Sequence, residues 1–281
     1  MKLQVTPELT NSNVRGPSSV VRGLCVSSRP MSTSLPHDEV VPFKRSAETK
    51  TQQVALMFDR IAFRYDFMNR FLSCGIDVTW RKKAIKELVD IEPKSVLDVA
   101  TGTGDMALLL HRFLHPKRIV GIDISEGMLR LGVQKVEKQK LMNVISLQNG
   151  DSEAINFAND SFDAITSAFG VRNFEHLEKG LSEMMRVLRP GGKLVILEFS
   201  KPRKPIFKGF YQFYMNVVAP KAGKWLSKNK DAYQYLTESV KAFPDGDEFL
   251  HILRQTGYTG TYLKTLSLGI CTIYCGSKRI S

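Results

Sequence analysis

Between residues 95 and 198 the chain alternates between two hydrophobic rhythms. Short runs of apolar and β-branched residues at 95–99, 118–122, 144–148, 162–167 and 193–198 predict strands. Stretches with helical spacing at 105–114, 127–138 and 177–188 predict helices between them. Ser125 stands where an N-cap is wanted, and Arg189-Pro190-Gly191-Gly192 is a stop signal. Repeated strand–helix units imply an α/β fold: a mostly parallel central sheet with helices on both faces.

The flanks differ. Val54, Met57, Phe58 and Ile61, then Tyr65, Met68, Phe71 and Leu72, fall at helical spacing, and Trp80 to Leu88 reads as a further amphipathic helix. Residues 48–92 are therefore expected to form a helical cap ahead of the first strand. Residues 201–230 carry eight basic residues and no acid, with aromatics such as Phe207, Tyr211, Tyr214 and Trp225 interleaved. An inserted lid of about 201–240 is expected there. A helix at 247–255 and strands at 259–266 and 270–276 close the chain. Residues 1–45 lack periodicity and are expected to be a disordered extension. Its first 30 residues read either as an over-long start before Met31 or as a basic, Ser-rich transit peptide, the former preferred. The remainder, 46–281, is expected to be one domain.

Charge and cysteines narrow this little. A net charge of +12 favours anionic partners. No apolar run reaches the roughly 18 residues of a membrane-spanning helix, so a membrane would be met from its side. Four cysteines give neither a metal-ligand pattern nor a disulfide framework, and no metal is expected.

The candidate chemistry begins at the loop 98–105, Asp-Val-Ala-Thr-Gly-Thr-Gly-Asp. Gly102 and Gly104, after a buried strand and before a helix, let backbone amides approach a ligand. Asp123, at the end of the second strand, suits ribose hydroxyls. The glycine spacing also fits a nicotinamide dinucleotide. Asp98 argues against that ligand, because a carboxylate suits a cationic amino-acid end better than a pyrophosphate. Asp151 and Ser152, after the third strand, are placed to read an adenine edge.

These segments, with Gly-Ile-Asp-Ile-Ser-Glu-Gly-Met-Leu (121–129) and Arg-Val-Leu-Arg-Pro-Gly-Gly-Lys-Leu (186–194), resemble class I methyltransferase motifs. Narrower signatures are Tyr65-Asp66-Phe-Met-Asn69, Phe169-Gly170-Val-Arg172-Asn173, Leu197-Glu198-Phe-Ser-Lys-Pro202 and Tyr233-x-Tyr235-Leu-x-Glu238-Ser239. They resemble the ubiquinone/menaquinone biosynthesis C-methyltransferases (UbiE/MenG type) over roughly 48–281. The resemblance implies a Rossmann-like class I methyltransferase fold and S-adenosyl-L-methionine as cofactor, held by Asp98, Gly102, Thr103, Gly104, Asp123, Asp151 and Ser152. The family often has Ser where this chain has Ala168, so that position is not counted.

The implied reaction is C-methylation of a polyprenyl quinol, with demethylmenaquinol preferred over the methoxybenzoquinol of the ubiquinone pathway. Arg172, Asn173 and Tyr65 are the catalytic candidates. Arg172 is assigned charge stabilisation because a guanidinium stays protonated, against a salt bridge to Glu175 or Glu198. Core packing is the competing role for Tyr65. Peripheral membrane contact through 201–230, a cytoplasmic location at the inner membrane face and a homodimer are further expectations. No specific nucleic acid is expected, although 201–230 leaves an RNA-binding module as a distant alternative.

Overall fold

The computed structural model describes residues 35–73, 75–202 and 230–280. Helices α1 (Lys50–Leu72) and α2 (Ile76–Lys86) come first. The expected alternation follows: β1 (Ser95–Val99), α3 (Asp105–Leu114), β2 (Arg118–Asp123), α4 (Glu126–Lys138), β3 (Ile145–Asn149), β4 (Phe162–Ala168), α5 (Leu177–Val187) and β5 (Leu188–Phe199). Helices α6 (Lys230–Ala242) and α7 (Asp247–Gln255) precede β6 (Thr259–Leu266) and β7 (Cys271–Ser277).

The strands form a seven-stranded sheet in the order β3-β2-β1-β4-β5-β7-β6. The first five are parallel, and β7 runs antiparallel between β5 and β6. Alternation along each strand divides the core in two, as the two-residue period of a strand requires. Leu97, Val99 and Ile165 pack with α5 and α7 residues such as Leu181 and Phe249. Val96, Ile119 and Ala164 pack on the other face, with Trp80, Leu88 and Leu110.

Differences from expectation are local. The cap's first helix runs unbroken for 23 residues, and the second begins at Ile76 rather than near Trp80. The expected stop at Arg189-Pro190-Gly191-Gly192 lies inside β5, because Leu188 already pairs with Phe162 before a register shift. Residues 230–240, expected in the lid, belong to α6, and Tyr235 on it is buried. The rest of that lid, 203–229, and the extension up to residue 34 lie outside the described residues. Ser125 caps α4 as expected, accepting from the Met128 amide.

Candidate active site

With β2 on one side of β1 and β4 on the other, the connections leave β1 and β4 on opposite faces, and a crevice opens above their carboxyl ends. The β1 turn is drawn toward β2: the Thr101 amide donates to the Ile122 carbonyl at 3.0 Å, and the Gly102 amide to Asp123 Oδ2 at 2.7 Å. Gly102 has φ +56, and a Cβ there would meet nothing within 4 Å, so the turn shows bare backbone to open space. Ala100 and Phe169, at the ends of β1 and β4, are also left-handed (φ +55 and +63), a strained conformation for non-glycine residues that gathers at functional sites.

The resulting cleft encloses about 640 Å³, part of it open to solvent. Its floor is Ala100, Gly102, Asp123, Asp151, Ser152 and Asn173, and α1 crosses above with Thr51, Val54, Phe58 and Tyr65 facing in. Six of the sequence-predicted residues thus meet in one place: Tyr65, Gly102, Asp123, Asp151, Ser152 and Asn173. Pattern reading missed Ile124, Met128, Glu153, Phe169, Phe174 and Glu175, which also line it. Ile124 and Met128 flank Asp123 within the 121–129 motif, so adjacency was a usable signal. The same signal applied to Phe174, which directly follows the 169–173 signature.

Asp123 is 9% exposed and accepts only amides, from Gly102 and from Ser125 at 2.9 Å. Burial pushes its pKa up to about 6, with the amides partly opposing. A carboxylate held this way has lone pairs left for two hydroxyl donors. Asp151 Oδ1 accepts the Glu153 amide at 2.8 Å, and Ile124, Met128 and Phe174 supply apolar surface beside it. A nucleoside's ribose and purine fit this set.

Four predicted residues are not brought to the cleft wall. Asp98 is 1% exposed beneath the loop, where the hydroxyls of Thr101 (2.6 Å) and Thr166 (2.7 Å) donate to it. It braces the turn and is not in position to hold a cationic ligand. Its pKa is also raised by burial to about 6. Thr103 Oγ1 donates to Asp66 Oδ1 at 2.6 Å and accepts from Lys135 Nζ at 2.9 Å, and Gly104 caps α3.

Arg172 is 4% exposed. Its Nη1 donates to Glu198 Oε1 at 2.8 Å and to the Phe169 carbonyl at 2.5 Å, and its guanidinium lies over the Phe199 ring. The salt-bridge alternative is realised with Glu198. Glu175 instead accepts from the amide and hydroxyl of Thr51 (3.0 and 2.9 Å). Through the Phe169 carbonyl Arg172 thus braces the left-handed turn that precedes Asn173, and it is not among the residues that line the cleft. Asn173 Nδ2 leans on the same carbonyl at 3.4 Å, while its Oδ1 is buried without a partner.

A family model described as the ubiE/COQ5 methyltransferase family matches residues 46–278. The chain belongs to that family. It is 45% identical to the demethylmenaquinone methyltransferase of Bacteroides fragilis, over 86% of this chain and 99% of that one. Against the ubiquinone/menaquinone biosynthesis C-methyltransferase UbiE of Geobacter sulfurreducens it is 46% identical, over 82% and 90%. Two solved structures share the fold. One, a possible histamine N-methyltransferase from Thermotoga maritima, has a TM-score of 0.57 at 19% identity, covering 80% of this chain and 99% of that one. The other is the Haloferax volcanii Trm112 complex with a putative methyltransferase (0.59, 16%, 81% and 98%). As a ubiE/COQ5 member the chain is an S-adenosyl-L-methionine-dependent methyltransferase. The Asp123 carboxylate, short of donors, and the apolar slot beside Asp151 fit that cofactor's ribose and adenine.

Proposed function

We propose that this enzyme methylates a ring carbon of a polyprenylated quinol, converting demethylmenaquinol to menaquinol. The supporting observation is the cleft wall beyond the cofactor residues. Phe58, Tyr65 and Phe169 make it aromatic, and Asn173, whose buried Oδ1 has no hydrogen-bond partner, is a polar residue that lines it. A planar quinol between such rings is shielded from water. A ring hydroxyl donating to Asn173 Oδ1 raises the electron density of the ring carbon beside it and satisfies the orphaned oxygen.

When bound, S-adenosyl-L-methionine would supply the electrophilic methyl group and leave as S-adenosylhomocysteine, while the ring carbon that gains the methyl loses its own hydrogen as a proton to solvent. The chain's own contribution is alignment, exclusion of water and polarisation of the hydroxyl. Arg172 acts from behind the turn. Glu198 balances its charge, so the buried pair braces the turn from beneath the cleft wall.

The relatives from Bacteroides fragilis and Deinococcus radiodurans are named for demethylmenaquinone, which supports the naphthoquinol over the benzoquinol. No described helix is long and apolar enough to cross a membrane, so reaching a lipid-borne quinol calls for peripheral contact, supported by the basic and aromatic composition of 201–230. The test offers the purified protein demethylmenaquinol and a polyprenyl methoxybenzoquinol with methyl-labelled cofactor. Label is expected mainly in menaquinol. Label in neither product refutes the quinol reading.

A further inference from the structure

We propose that Asp66 and Lys135 are positioning residues that tie the cap helix α1 to the cofactor loop, so that cofactor binding and closure of α1 are one event. The inference rests on the cofactor assignment alone and stands whichever quinol is methylated.

Helix α1 lies directly over the cleft, and besides the small apolar cluster it shares with Ile124 its attachments there are polar. At its start Thr51 is held by Glu175. At mid-length Asp59 Oδ1 accepts from Ser125 Oγ (2.6 Å) and the Gly127 amide (2.8 Å), beside Asp123. Further on, Asp66 accepts from Thr103 Oγ1 at 2.6 Å with one oxygen and meets Lys135 Nζ at 2.5 Å with the other. Lys135 also reaches Asp105 Oδ1 at 2.8 Å, and Arg70 of α1 binds Asp105 Oδ2 at 2.8 Å. Each hook ends on a residue that forms or adjoins the cofactor site.

The apolar contacts point the same way. Among the described residues, α1 contributes Val54 and Met57 to a small cluster with Tyr235, Val40, Phe43 and Ile124, separate from the two cores of the sheet. An element with few ties to the main core and charged hooks at its edges opens more readily than the body it covers. The Asp66–Thr103–Lys135 triangle is the hook that includes the loop itself. A cofactor settling on the loop fixes Thr103, and Thr103 fixes Asp66. Conversely, with the triangle intact, cofactor leaves only when α1 lifts.

The experiment measures binding of S-adenosylhomocysteine to the full chain by stopped flow, with hydrogen exchange on the same samples. In the wild type, ligand is expected to protect amides of 51–66 together with those of 100–104. Asp66→Asn should raise the dissociation rate about tenfold, the scale of one charge-assisted hydrogen bond, and leave association unslowed. It should retain ligand protection at 100–104 and lose it at 51–66. Lys135→Met should do the same, Lys135→Arg should restore the wild-type rate to within about threefold, and the double variant should be no worse than either single one, since all act through one link. Unchanged dissociation in both single variants, additive losses in the double one, or no ligand protection of α1 in the wild type would each overturn the proposal.

Discussion

At Asp123 a carboxylate is buried with amide donors alone, and burial raises its pKa to about 6. The folded protein therefore holds that proton more tightly than the unfolded chain, and the ionised form costs stability above pH 6 until a ligand donates to it. Ribose hydroxyls favour the carboxylate, so cofactor affinity is full above pH 7 and falls as the pH drops through 6, by about tenfold per unit well below it. Titration calorimetry with S-adenosylhomocysteine between pH 5 and 8 measures this, and Asp123→Asn should weaken binding at pH 7.5 and flatten the profile. A flat wild-type profile would remove Asp123 from the ribose. Arg172 and Asn173 separate by a different measurement. Arg172→Ala strands Glu198 in the interior and is expected to lower unfolding stability by about 3–5 kcal/mol in urea titrations. Asn173→Ala should cost about 1 kcal/mol while lowering kcat roughly a hundredfold, leaving cofactor affinity within about threefold. The reverse ranking would make Arg172 the group at the substrate. The places of Asp123 and Asp151 at the cleft were legible because Asp123 ends β2 within the 121–129 motif and Asp151 stands just past the end of β3. For Arg172 the sequence offered Glu175 and Glu198 alike as ion-pair partners, and only the pairing of β5 with β4, whose register a linear reading does not give, singles out Glu198.

At the scale of elements, β1, β2, β4 and β5 were legible because both of their faces are covered, which leaves continuous apolar runs, whereas β3 at the sheet edge is largely exposed and is marked chiefly by its place in the alternation. The start of β5 was not, since a Pro-Gly-Gly run signals a turn and only pairing with β4 extends the strand through it. Helix α6 was hidden by its neighbourhood, where the basic run of 201–230 masks a helical start at Lys230. The crossing of α1 over α4 depends on one small residue. A Cβ at Gly127 would lie 2.9 Å from Asp59 Oδ1 and 3.3 Å from its Cα, and the second of these is backbone that cannot swing aside. Gly127→Ala is therefore expected to push α1 off α4 at an overpacking cost of about 1–3 kcal/mol, confined to the cap. Hydrogen exchange should quicken in 51–66 and stay unchanged in β1, β4 and β5. Uniformly faster exchange would mean that α1 belongs to the same cooperative unit as the sheet.

At the scale of the molecule, the proposed polyprenyl substrate raises the question of how an enzyme with no described spanning helix would reach a tail dissolved in lipid. The sequence carries a net charge of +12, and residues 201–230, with eight basic residues and no acid among them, account for much of it. Aromatic residues interleaved among those cations suit the headgroup boundary, where apolar rings enter and lysines meet anionic lipid at about 1 kcal/mol each. On the cap, Phe63 is 90% exposed and Leu56, seven residues before it on the same face of α1, is exposed as well, so the face of α1 turned away from the cleft carries an apolar pair. Attraction of this kind is screened within about 8 Å at physiological ionic strength, which gives it a signature that an inward-packed lid lacks. The protein is expected to co-sediment with vesicles containing phosphatidylserine at low salt, to leave them as salt rises, and to ignore purely zwitterionic vesicles. Replacing Lys221, Lys224, Lys228 and Lys230 with Gln should lower the partition coefficient at least about tenfold. The same variant should lose activity on a long-tailed quinol presented in vesicles while keeping it on a short-tailed quinol in solution. Equal activity of variant and wild type on the vesicle-borne substrate would mean that the charge serves solubility alone, and that the quinol is drawn from the membrane by another surface.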